Sequence, residues 1–196
     1  MQKILIILAH PAIHKSKINK ALLDAVSGLE GVTLHDLYEN YPDFFINIKK
    51  EQSLLREHDI IVWQHPLYWY SCPALLKEWF DLVLEHDFAY GKNGTVLHGK
   101  KTMTVTSTGG SSQVYRESGL NHNTIHQFLI PFRQTALLCG MEYLPPFVVH
   151  GAHSLMEQSI RLQANKYRKV IVGLRDERFS KEKIRNAKYI YELIRG

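Results

Sequence analysis

The chain has 196 residues, enough for one domain with a sizeable core at about 100–200 residues per domain. Hydrophobic residues make up 45% and charged residues 22%, as in an ordinary globular protein, and the net charge of +5 is scattered rather than gathered in a stripe, which argues against nucleic acid as a partner. Two cysteines, Cys72 and Cys139, with no Cys-x-x-Cys spacing, exclude a disulfide framework and fit a reduced, cytoplasmic setting.

The apolar run Lys3–Ala9 (KILIILA) predicts a first strand covered on both faces. It is too short for a membrane span or a signal-peptide core. A polar loop, HPAIHKSK, leads into a helix in which Ile18, Ala21, Leu22, Ala25 and Val26 recur at helical spacing, with Gly28 and Gly31 at its end. Val32–Leu37 is a second strand, and a short polar helix is expected around Gln52–Glu57. The third strand is Asp59–His65, followed by the loop HPLYWYSCP and a helix starting at Pro73, whose apolar stripe holds Leu75, Leu76, Trp79, Phe80, Val83 and Leu84. DFAYGKNGTVLHGK is a loop, and KTMTVTST a fourth strand ended by Gly109 and Gly110. One helix with an internal Pro131 is expected from Ile125 to Gly140, and a fifth strand whose regular part is Phe147–His150, after the double proline. A helix follows from Ser154 to Leu174, then a charged helical tail at about 176–196.

Strands that lack polar alternation, interleaved with helices, predict an α/β three-layer sandwich: one flavodoxin-like domain with a five-stranded parallel sheet in the order 2-1-3-4-5. Ligands of such sheets sit beyond the carboxyl ends of the strands, at the switch point between strands one and three. That places three loops together. HPAIHKSKIN ends at a helix N-terminus suited to a phosphate, with Ser16 and Asn19 as side-chain donors and His10, Lys15 or Lys17 as positive charge or further donors, although the loop taken alone reads better as plain helix capping by Ser16. HPLYWYSCP offers the flat surface of Leu67, Tyr68, Trp69 and Tyr70 after Pro66, or else packing. Ser107-Thr108-Gly109-Gly110 offers small hydroxyls and an open backbone, or else a plain strand-exit turn. Together they suit a phosphorylated tricyclic ring, a flavin.

The stretches HPLYWYSCPALLKEWFDLVLEHDFAYG, TSTGGS and GMEYLPPFVVHG resemble the flavodoxin-like NAD(P)H:quinone oxidoreductases. AHP with SKIN, LYENYPDF, VWQHP and LPPF are most similar to the ancillary flavoproteins of bacterial glutathione-gated potassium efflux systems. The resemblance covers roughly residues 3–155. It implies a homodimer that binds FMN, with FAD the alternative, and passes two electrons as hydride from NAD(P)H to a quinone. The other role it implies is a regulatory subunit docked on a membrane potassium antiporter, peripheral at the inner face of the membrane. By position it assigns His10 and Ser16, Lys17, Ile18 and Asn19 to the flavin phosphate and ribityl chain. Pro66 to Tyr70 and Ser107 to Gly110 take the ring. Tyr115 matches a tyrosine that stabilises charge on reduced flavin; its histidine partner should fall near Asn121, which leaves His122 as the candidate. Phe88 and Tyr90 match residues that reach into the partner subunit's pocket.

Eleven histidines raise a metal reading, but His122/His126 and His150/His153 have neither an HExxH glutamate nor a cysteine beside them. Cys139 reads as core, and Cys72 as part of the aromatic loop rather than a nucleophile. A phosphoacceptor receiver would share the fold, but strands ending in Ala9-His10 and Gln64-His65 lack its acidic cluster.

Overall fold

In the computed structural model, which describes residues 1–194, the Ile-rich run forms strand β1 (Ile4–Leu8), buried along its whole length. Side chains alternate along a strand, so two helical layers must cover it. Leu5 and Ile7 face α3 (Ile48–Glu57), α4 (Ala74–Val83) and α6 (Ile130–Leu138) through Leu55, Leu75, Leu76, Trp79 and Phe132. Ile4 and Ile6 face α1 (Lys17–Val26) and α7 (Glu157–Arg175) through Ile18, Leu22, Val26, Tyr167, Val170 and Ile171.

The sheet is parallel, and β2 (Val32–Asp36), β1, β3 (Ile60–Pro66), β4 (Lys101–Ser107) and β5 (Glu142–Tyr143) follow in the expected order. The last position is split. β5 pairs with Lys101 and Thr102, whereas β6 (Phe147–Val149) pairs with Val105 to Ser107. Pro145 and Pro146 lie between and have no N–H to give a ladder. Five strand positions therefore hold six strands.

The single helix expected across Pro131 is two helices. Leu129 (φ −89°, ψ 0°) ends α5 (Ile125–Phe128) and caps α6, and Pro131 falls in the first turn of α6, where its missing N–H costs nothing. A short α2 (Leu37–Asn40), capped by Asp36, lies where only strand and loop were expected. Helix α3 begins four residues earlier than expected, capped by Asn47, whose side chain accepts from Lys50 N–H at 3.1 Å. The tail is not one helix but α8 (Lys181–Asn186) and a 3-10 turn (Ile190–Ile194); its last two residues lie outside those described. Ile184 and Ile190 are buried in the core on the α1/α7 side, and Ile190 N–H donates to Pro146 O at 3.2 Å. The tail thus covers the broken strand.

Candidate functional site

Register brings the strand ends level: Leu8 pairs with Gln64, and Pro66 with Ser107. The ladder continues into the loops, with Ala9 N–H donating to Gln64 O (2.9 Å), Leu67 N–H to Ser107 O (2.8 Å) and Thr108 N–H to Val149 O (2.9 Å). All these loops therefore leave one edge of the sheet.

They enclose a cleft of ≈ 510 Å³ lined by His10, Lys15, Ser16, Lys17, Ile18 and Asn19 from the first loop, Pro66, Leu67 and Tyr68 from the second, and Ser107 and Gly109 from the third. Ala152 and His153, from the loop after β6, complete it. That fourth loop was missed, although the same rule about strand ends applies to it. A Cβ on Gly109 would stand 3.1 Å from the His153 ring, so a side chain there would push that exposed imidazole aside.

Ser16 caps α1: its Oγ accepts from Asn19 N–H at 3.2 Å, so the capping reading of this residue is right. The first-turn amides of Lys17 and Ile18 have no intrahelical acceptor, as at any helix start. Asn19 is buried, with Nδ2 donating to Ser16 Oγ (3.2 Å) and Ser107 Oγ (2.9 Å); its Oδ1 is buried without a partner. Gln64 fixes this corner from below, donating to Asn19 O and accepting from Tyr167 Oη, both at 3.1 Å. His10 Nδ1 accepts from Ala12 N–H at 3.1 Å, and burial holds the imidazole below its usual pKa. It contributes a neutral Nε2–H donor.

The aromatic loop is a tight hairpin closed by Tyr68 N–H to Ser71 O (3.2 Å) and Ser71 N–H to Tyr68 O (2.9 Å). Trp69 (φ 48°) and Tyr70 (φ 63°) occupy its left-handed positions, which ordinarily go to Asn-Gly. Such a conformation costs about 1–3 kcal/mol for a bulky residue. Trp69 is also 94% exposed, so the turn gains nothing from burying it. Tyr70 stacks on Phe128 at 4.9 Å, and Tyr68 stands edge-on to His10 at 6.1 Å. Neither strain nor exposure serves the fold, which points to contact with something else.

Around Thr108 a second group gathers. Its hydroxyl donates to Gly110 O (2.8 Å), so its oxygen accepts from His150 Nδ1–H (2.9 Å), leaving Nε2 of that ring unprotonated. Burial lowers the His150 pKa, in keeping with a neutral ring. The Tyr115 ring lies 5.4 Å from His150 and edge-on to Phe128 at 6.1 Å. Burial raises the Tyr115 phenol above its usual pKa, and hydrogen bonds with Thr108 and Asn121 partly offset this. His122 is exposed and has φ 53°; the imidazole beside Tyr115 is His150, not His122.

Phe88 does not project outward as expected. It is buried in its own subunit's core beneath the Arg56 guanidinium, 5.0 Å from its ring, because the turn folds Val96 N–H back onto Phe88 O. Tyr90 is half-buried and lines a separate cleft of ≈ 340 Å³ between α4 and α6, with Cys72, Phe80 and Phe132.

Residues 2–171 match the family model for the flavodoxin-like fold (Flavodoxin_2), and the chain belongs to that family. It is 46% identical over 165 residues to the glutathione-regulated potassium-efflux system ancillary protein KefG of Enterobacter sp. (strain 638), spanning 84% of this chain and 90% of that one. Among solved structures it is similar to general stress protein 14 of Treponema denticola in complex with FMN: 39% identity, TM-score 0.84, with 88% of this chain and 99% of that one covered. An NADPH-quinone reductase from P. pentosaceus is 34% identical with TM-score 0.77, covering 86% of this chain and 96% of that one.

Proposed function

We propose that the protein is an FMN-dependent oxidoreductase that carries two electrons from NAD(P)H to a quinone-type acceptor. The observation that carries this reading is the ≈ 510 Å³ cleft at the switch point, where a helix N-terminus and the buried, unpaired Asn19 Oδ1 meet Leu67 and Tyr68, at the start of the strained aromatic turn. The residues fit the group. Ser16, Lys17, Ile18 and Asn19 would hold its phosphate and ribityl chain, and Asn19 Oδ1 would accept from a hydroxyl. Leu67 to Tyr70 and Ser107 to Gly110 would hold its ring. Bound FMN supplies two-electron chemistry between a nicotinamide and a quinone. The protein orients both reactants and excludes water, and positioning carries much of such a rate. Tyr115 and His150 stand beside Thr108, next to the cleft, where burial favours the protonated phenol and the neutral imidazole.

The similarity to the T. denticola FMN complex and the P. pentosaceus quinone reductase supports this reading. Steady-state reduction of a benzoquinone by NADPH, with FMN-loaded protein and parallel double-reciprocal lines, is the expected result; no turnover above free FMN would overturn it. The 46% identity to KefG favours a second role, docking on a potassium efflux system. Co-purification with such an antiporter tests it, and an FMN-loaded protein that does not co-purify would remove it.

A further inference from the structure

The tail and the sheet edge line another, open cleft of ≈ 710 Å³, which shares no residue with the loop cleft. Its floor is Tyr143, Pro145 and Pro146. Around it stand four cations: Arg133 from α6, Lys181 and Arg185 from α8, and Lys188 just beyond. Among the described residues none of the four has an ion-pair partner and Glu142 is the one carboxylate lining the cleft, although Glu192, which accepts from Lys188 N–H at 2.9 Å, lies near. Like charges around a concave surface repel one another, and a guest anion relieves this. His126 lines the same cleft, its ring against Tyr189 at 4.9 Å, and its Nε2 is buried with no partner.

We propose that this cleft binds a phosphorylated small molecule of nucleotide size, with the cations on its phosphates and the tyrosine-proline floor under a flat ring. Arg133 and Arg185 can grip phosphate oxygens two at a time, and the lysines add point charge. The volume falls within the range of about 300–1,000 Å³ usual for small-ligand sites, and a concave site suits a small molecule better than a nucleic-acid strand. The family match ends at residue 171, so Lys181, Arg185 and Lys188 lie beyond it. The site therefore depends on this chain's tail.

The test is calorimetric titration of the full chain, with and without saturating FMN, using ADP, inorganic pyrophosphate and adenosine. ADP and pyrophosphate should bind under both conditions, and adenosine far more weakly. The Lys181→Glu/Arg185→Glu double variant should weaken ADP about a hundredfold, as for the loss of two charge-assisted hydrogen bonds. Arg133→Ala, on the other wall, should weaken it about tenfold, which separates loss of the site from loosening of the tail. Ser16→Ala, in the loop cleft, should leave it unchanged. ADP and pyrophosphate failing to bind at millimolar concentration would overturn the proposal. So would unaltered affinity in the double variant, or a hexaglutamate peptide binding in place of both phosphates.

Discussion

Glu51 is fully buried, yet it is one of the most constrained residues in the chain. Its carboxylate accepts from His35 Nε2 (2.8 Å), Tyr41 Oη and Trp79 Nε1 (2.8 Å). Burial alone would raise its pKa, but these three hydrogen bonds outweigh that and hold it below the usual range. A carboxylate depressed in this way stabilises the fold fully above the unfolded-state value, about 4.3, and the contribution is lost as pH falls through the lower folded value. Glu51→Ala should cost about 3–5 kcal/mol, since it strands three buried partners. Denaturant melts should show that the variant also loses less stability than the wild type on acidification below about pH 4. Equal acid sensitivity would contradict this. At the site, Tyr115→Phe and His150→Gln should each slow reduction by NADPH about ten- to a hundredfold, from losing about 1.4–2.7 kcal/mol, while His122→Ala should not. Stopped-flow measurement separates the three. The family resemblance singles out Tyr115, but not the imidazole that the structure puts beside it. His150 comes from another strand end, 35 residues further on, and nothing local marks it.

Among the elements, the hairpin at Tyr68–Ser71 shows a conflict between fold and function. Replacing Trp69-Tyr70 by Asn-Gly suits the left-handed backbone and should stabilise the fold by about 1–3 kcal/mol. It should also weaken binding at the loop cleft, read as a raised FMN dissociation constant or a raised quinone KM. A lower melting temperature would show instead that the aromatics serve packing. The sequence made this loop conspicuous through its three adjacent aromatics, but φ cannot be read from side chains that are rarely found there. Pro131 fits both a kink inside one helix and the first turn of a second, so the sequence leaves the break between α5 and α6 undecided. The tail's charges concealed its two anchors, Ile184 and Ile190, which are too few to set a period.

For the whole molecule, the parallel sheet was legible because buried parallel strands read as unbroken apolar runs, whereas the strand order rested on the likeness of five such units to the flavodoxin-like architecture. What the chain could not disclose was which surfaces stay uncovered. Trp69, Ile130, Leu137 and Leu138 are 94%, 55%, 51% and 60% exposed, three of them on α6 beside the Tyr90 cleft. An apolar patch of this kind marks an interface, and a homodimer through α6 is the reading we favour. Light scattering should report a dimer, and Leu138→Asp should shift it toward monomer; a monomeric wild type would remove the idea. The central claim is that the loop cleft holds FMN, and fluorescence titration tests it most directly. Wild-type protein should quench added FMN to saturation at one per chain. Ser16→Ala/Asn19→Ala should bind with the loss of about 2–4.5 kcal/mol, one hydrogen bond to the charged phosphate and one neutral bond to a hydroxyl, while keeping a wild-type circular dichroism spectrum. No quenching by the wild type, or an unchanged dissociation constant in the folded variant, would contradict it.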